Sequence, residues 1–314
     1  MKKYEWLSTE GAPAKYPMQI LRGNYLLQDE ETLGIAKGSF LVGDWGQLGS
    51  VSIVGDKYKA LPKQLKLTWF SFTESKFFSG VADLPIDKIN NLFKEEFLSP
   101  INDKKTIFRY IILGLVPNGK VVVWALGDKI IKEICVLDFK ENKEIKWEEF
   151  VANPDYSMKK YVRAKLEQTF KEKDFLELEK NGVDTLLYIE KYRQHYLWKP
   201  KVVGNIKPLN GLYYYYNGES EYNLFNSETE MERPVPKSAI LLWRATNNKE
   251  FASEIIFDEE EVFSSFQKFT GEHNSGKILL EIEMSDLTHE TKAFLRNDTY
   301  IYEFKKCTIN VYKQ

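Results

Sequence analysis

Histidine and cysteine are nearly missing from this chain of 314 residues, which holds three His and two Cys. A Ser-His-Asp or Cys-His mechanism therefore has little raw material. His195, His273 and His289 each stand alone, with no second His or Cys at metal-ligand spacing, so neither a metal nor a cofactor is expected. Cys135 and Cys307 lie far apart and read as two buried thiols of a reducing compartment. Neither sign of charge is in excess. Lys+Arg 44 against Asp+Glu 46 leaves a formal net charge of −2, which argues against a nucleic-acid binder. Long apolar runs are absent as well. The longest, 110–116 and 121–126, are strand-sized, well short of the roughly 20 residues of a membrane span. The opening MKKYEWLSTEGAPAKYP lacks the apolar stretch of a secretory signal and an early cysteine for a lipid anchor, so the expected location is the cytoplasm. Gly-x-x-x-x-Gly-Lys-Ser/Thr, Gly-x-Gly-x-x-Gly, His-Glu-x-x-His and Gly-x-Ser-x-Gly are all missing.

What is present is β pattern, twice, around a helical middle. Gln64–Phe72 alternates: Leu65, Leu67, Trp69 and Ser71 share one face, and Lys66, Thr68, Phe70 and Phe72 the other. Phe77–Leu84 reads as its hairpin partner. Pro85 marks a helix start, followed by Ile86, Ile89, Leu92, Phe93 and Phe97 at helical spacing. Three strands follow, Thr106–Leu115, Lys120–Leu126 and Lys129–Phe139. Turns at Asn118-Gly119 and Gly127-Asp128 separate them. Residues 141–197 carry many Lys and Glu at helical spacing. A first helix starts at Trp147, a second covers Tyr156–Phe170, and a third runs from Phe175 toward Tyr196, with a break at Asn181-Gly182.

The last third repeats the first. Pro62-Lys63-Gln64-Leu65-Lys66-Leu67-Thr68-Trp69 aligns with Pro236-Lys237-Ser238-Ala239-Ile240-Leu241-Leu242-Trp243, and Phe77 and Ser79 fall on Phe251 and Ser253 without a gap. Asp258-Glu259-Glu260-Glu261 then opens a helix, where negative charge complements the dipole. Further on, Lys277–Met284, Lys292–Arg296 and Tyr300–Tyr312 parallel Lys105–Ile112, Lys120–Trp124 and Asp128–Lys140, which brings Cys307 onto Cys135. The expected fold class is α+β: two tandem β-rich units, each an antiparallel sheet with one covering helix, joined by a helical segment. The boundaries are 1–140, 141–198 and 199–314.

The first copy also resembles a known family. Gly43-Asp44-Trp45-Gly46, Leu61-Pro62-Lys63, Leu67-Thr68-Trp69-Phe70-Ser71, Glu74-Ser75-Lys76-Phe77-Phe78-Ser79-Gly80 and Leu84-Pro85, with Lys88-Ile89 and Leu92-Phe93, are similar to the bacterial domain of unknown function 2931. The resemblance spans Tyr16 to Phe139. The second copy keeps Trp243 and Phe251-x-Ser253 but lacks counterparts of Gly80 and of the Gly-Asp-Trp-Gly loop. Many members look like lipoproteins, and some relatives stand beside secreted toxins, so the resemblance implies immunity-like binding as one option.

Aromatic residues make up 14% of the chain. Along Tyr213-Tyr214-Tyr215-Tyr216, alternate rings point to opposite faces of a strand, so one pair packs inward while the other lies open. Trp45, in its glycine loop, is either a binding anchor or a plug over the sheet. Asp44, Trp45, Tyr214 and Tyr216 are therefore the candidate ligand- or partner-binding residues, with no catalytic residue assigned. The leading expectation is a non-enzymatic protein-binding protein, of the immunity type that masks a bacterial toxin. The alternative is a carbohydrate or small-ligand module, with a carboxylate-based hydrolase site as an option. Neither a nucleic-acid partner nor a membrane span is expected.

Overall fold

The computed structural model describes the chain except residues 1, 44, 50, 152–155, 224, 226–230 and 272–276. It divides into two compact units, Met1–Tyr188 and Ile189–Gln314, each strand-rich, with a few helices, in the α+β manner.

The first unit runs β1 (Leu7–Gly11), β2 (Met18–Leu27), β3 (Pro62–Ser71), β4 (Lys76–Asp83), α1 (Ile86–Lys94), β5 (Tyr110–Val116), β6 (Lys120–Gly127), β7 (Ile130–Asp138) and β8 (Lys140–Glu141). One sheet has the order β7-β6-β5-β1, with Val51–Ser52 at its edge. The other has the order β8-β4-β3-β2, with Thr32–Gly34 at its edge. Neighbours are antiparallel except β1 and β5, which run parallel with Leu7 opposite Tyr110. A parallel pair needs a long crossover, and here the chain completes the second sheet and α1 before returning as β5. The β-branched runs of β5 and β6 are buried on both faces, as unbroken apolar strands require. Both hairpin turns take the expected left-handed backbone, at Asn118-Gly119 (φ +60° and +73°) and, one residue later than expected, at Asp128-Lys129 (+44° and +74°). In β3 the alternation holds: Leu65, Leu67, Trp69 and Ser71 are buried on the inner face, where Trp69 stacks on its cross-strand neighbour Phe78 at 5.5 Å.

The helical stretch does not stand apart from the first unit. After a 3-10 turn at Trp147–Glu149 come α2 (Met158–Leu166) and α3 (Glu172–Asn181). Ser157 caps α2 by accepting from Lys160 N, and Gly182 (φ +68°) ends α3. Val162, Leu166 and Phe175 pack with Ile145 onto Phe70, Phe72 and Phe77. These rings lie on the outer face of β3 and β4. Exposed, they would forfeit roughly 1.5–3 kcal/mol each, and the helices are their cover. The expected continuation toward Tyr196 ends sooner, because residues from His195 onward form a strand of the second unit.

That unit runs β9 (His195–Val203), β10 (Lys207–Tyr215), β11 (Ser220–Tyr222), β12 (Met231–Pro234), β13 (Pro236–Arg244), β14 (Glu250–Ile256), α4 (Glu259–Thr270), β15 (Ile278–Met284), β16 (Thr291–Arg296), β17 (Ile301–Glu303) and β18 (Thr308–Lys313). Its sheets have the orders β12-β9-β15-β16-β17 and β11-β10-β13-β14-β18. Again one pair, β9 and β15, is parallel. Asp258 caps α4 by accepting from Glu261 N at 3.0 Å. Glu261, 6% exposed, turns its carboxylate to Tyr302 Oη and the amides of Lys305 and Lys306, which pins the bend between β17 and β18. Cys307 stands in that bend, whereas Cys135 lies within β7 opposite Val123. The two cysteines do not share one strand position, and no disulfide joins them.

Candidate functional site

Asp44 lies outside the described residues. Trp45 is half-buried, edge-on to Trp124 at 4.8 Å and to Tyr188 at 5.0 Å. It sits over Gly114, where a Cβ would come within 2.9 Å of its ring. The glycine leaves room for the indole, which lies against the sheet.

The tyrosine run splits differently from a clean alternation. Tyr213 and Tyr215 are buried on the inner face of β10. The Tyr215 hydroxyl donates to Glu221, which also pairs with the buried Arg233 at 3.0 Å. Arg233 in turn donates to Trp198 O at 2.9 Å. Tyr216 is buried too, because the chain leaves the strand there. Its ring meets Tyr192 and Phe263, and its hydroxyl donates to Phe257 O at 3.0 Å. Burial pushes all four phenols above their ordinary range. Only Tyr214 keeps a partly exposed ring, on the outer face.

That outer face was not singled out from sequence. The register of β10, β13, β14 and β18 places Tyr214 beside Ser238 and Ile256, then Leu212 beside Ile240 and Glu254, then Leu242 beside Ala252 and Tyr312. Ile256 is 42% and Tyr312 51% exposed; Ile240 and Leu242 are half-buried. These three rows make an apolar surface that includes the carboxylate of Glu254, which accepts from Asn310 Nδ2 and Tyr312 Oη at 3.4 Å. The alternation of Ile240 and Leu242 with Ala239, Leu241 and Trp243 was the available signal. A fully apolar strand hides it, since both faces look like core.

One further polar group is internal. Ser8 Oγ donates to Glu10 at 2.8 Å and lies 3.0 Å from Tyr25 Oη. With the buried carboxylate on one side, Tyr25 is the donor to Ser8. Burial holds the Glu10 carboxyl up at about 7, with the Ser8 hydroxyl opposing the shift. His289 stacks on Phe251 at 4.5 Å, His195 Nδ1 lies 2.8 Å from Arg193 O, and His273 is outside the described residues. Among the described residues no group of three or more His, Cys, Asp or Glu is placed to hold a metal ion. No helix among them is long and apolar enough to cross a membrane.

Compared with known families, the chain matches the model of a protein of unknown function (DUF2931) over residues 1–177. The match is wider than the 16–139 resemblance and takes in β1, α2 and most of α3, so the helical cover lies within the matched region. No curated protein and no solved structure matches the chain.

Proposed function

The chain belongs to the family of proteins of unknown function DUF2931, and from that premise we propose that it is a bacterial, cytoplasmic, non-enzymatic protein that docks a partner protein through the second unit. The observation that supports this is the outer face built by Tyr214, Ile240, Leu242, Ile256 and Tyr312. Rigid aromatic and branched side chains on a strand platform bring large contact area at small entropic cost, which is what a protein interface draws on. A partner that presents its own apolar patch fits this face. A toxin masked by an immunity protein is the form this takes in our reading.

The second unit is also, in this proposal, a copy of the first. Supporting it are a parallel first pair (β1 with β5, β9 with β15), a central hairpin followed by a helix, and a last strand that returns to the hairpin sheet.

The test is a capture experiment from native lysate with the wild-type chain and Ile256→Asp as paired baits. A stoichiometric protein held by the wild type and lost by the variant, with matching far-UV spectra, is expected. Two baits that retain the same proteins would remove this face from the proposal.

A further inference from the structure

The outer face of the first unit's hairpin sheet is open where the helical cover stops. Beyond Phe70 and Phe77 the register sets Arg22, Thr68, Ser79 and Lys140 in one row and Asn24, Lys66 and Val81 in the next. Tall side chains surround short ones, which leaves a pit of about 430 Å³ lined by Arg22, Gly23, Asn24, Lys66, Thr68, Ser79, Gly80 and Val81. A β-bulge at Leu21 makes it possible. The extra residue joins the apolar layer under the helices, and Arg22 still lands opposite Thr68.

The chemistry of the pit is one-sided. Arg22, Lys66 and Lys140 are exposed, and none has an ion-pair partner among the described residues. Among the described residues no carboxylate lines the pit. Asp83, further along the same face, is engaged by Gln64 Nε2 at 2.9 Å. At the floor, Thr68 is 4% exposed and its hydroxyl has no hydrogen-bond partner among the described residues. The Asn24 amide is likewise unpartnered. Ser79 Oγ accepts from Asn142 Nδ2 at 2.8 Å, so its own proton is directed elsewhere. Arg22 and Lys66 are diagonal neighbours, a relation that sets side chains roughly 7–8 Å apart at their base. Two cations at that spacing converge on one tetrahedral anion between them, with a guanidinium able to bind it through two N–H groups.

We propose that this pit binds the phosphate group of a small phosphorylated organic molecule. Arg22 and Lys66 hold the phosphate, Thr68 and Ser79 donate to its oxygens from the floor, and Asn24 faces the organic part. The volume exceeds what inorganic phosphate fills and falls within the range of small-ligand sites, about 300–1,000 Å³. The site lies in the first unit and does not depend on the docking face of the second.

Isothermal titration of the full chain with inorganic phosphate, glucose 6-phosphate and glucose tests the proposal at low salt. Saturable binding of both phosphates, tighter for the ester, with none for glucose, is expected. Arg22→Gln and Thr68→Val should each weaken it about tenfold, the loss of one hydrogen bond to a charged group. Thr68→Val is nearly isosteric, and an unchanged melting temperature separates a lost contact from a damaged fold. The proposal is overturned by no saturable binding of either phosphate, by glucose binding as well as its ester, or by Thr68→Val leaving affinity unchanged. Phosphate bound while the ester is refused would overturn the room assigned to an organic group.

Discussion

The hairpin sheets of the two units share a strand order and turn different chemistry to solvent. In the first unit the outer face is half covered by α2 and α3 and half a cationic, hydroxyl-lined pit. In the second the same strands present Tyr214, Ile240, Leu242, Ile256 and Tyr312. Inner faces are alike in kind, with Trp69 stacked on Phe78 and Trp243 on Phe251 at 4.7 Å. A sheet fixes where side chains stand and leaves the outward set open to change, because outward residues bear little of the core's packing. Function in such a pair is therefore to be sought on the faces that differ.

The largest expected difference between the units is in their response to pH. The first buries Glu10 against the Ser8 hydroxyl with no cation in contact among the described residues, while the second's buried Glu281 has Arg296 at 2.8 Å and Lys201 at 3.2 Å. Glu10 moves from an ordinary 4.5 to about 7 on folding. At pH below 4.5 the carboxyl is protonated folded or unfolded, and the folded form is favoured in full. As pH rises through 7 the buried group must ionise, and up to ~3 kcal/mol of that advantage is lost. Thermal melts of the full chain should show a transition that weakens from pH 5 to pH 8. Glu10→Gln should flatten it and be the more stable protein at pH 8. An unaltered slope in the variant would assign the pH dependence elsewhere.

A smaller effect separates the two tryptophans. Trp243 Nε1 donates to Ser253 Oγ at 3.0 Å, and Ser253 Oγ lies 2.8 Å from Thr291 Oγ1. Trp69 Nε1 is buried with no partner among the described residues. Ser253→Ala leaves the indole N–H unanswered and should cost about 1–3 kcal/mol, read as a lower denaturant midpoint at unchanged slope.

Much of the architecture was legible beforehand, for local reasons. Alternation in 64–72, Asn118-Gly119 and the Asp258 cap each act over a few residues, so the chain states them directly. What was hidden depended on partners distant in sequence. The helices of 158–181 looked like a connector because their target, Phe70, Phe72 and Phe77, lies some eighty residues upstream in a strand that already read as complete. Of the four candidate site residues, Tyr216 reads as outward on strict alternation, yet the strand ends at Tyr215 and the next residue turns into the core. The pit needed Arg22 and Lys140 brought beside Thr68 and Ser79 across four strands, a juxtaposition that only the register supplies. On the proposed duplication, register shifts the ungapped alignment by one residue. Trp69 pairs with Phe78 and Trp243 with Phe251, so Ser253 falls at the place of Gly80 and not of Ser79.

That one-residue shift yields the finest test. Gly80 faces Leu67 as Ser253 faces Leu241, so Gly80→Ser sets a hydroxyl where the second unit keeps its indole acceptor. The backbone at Gly80 is not left-handed, and the substitution meets no conformational penalty of that kind. Its cost is steric: the new Cβ would stand 3.2 Å from Phe139 Cδ1, so the ring must give by a few tenths of an ångström. The ring packs edge-on against Trp69 at 5.2 Å, and pushing it alters the very indole the hydroxyl is meant to serve. A hydrogen bond to a formerly orphaned buried donor is worth about 1 kcal/mol, whereas crowding a buried ring costs about 1–3 kcal/mol, and Phe139 is 5% exposed. We expect Gly80→Ser to lower the denaturant midpoint, with about 1 kcal/mol less stability lost than Gly80→Ala loses. Gly80→Ala carries the same Cβ without the hydroxyl and should lower it further. If serine and alanine destabilise equally, Trp69 does not use the acceptor, and the inner faces of the two units differ in more than this one side chain.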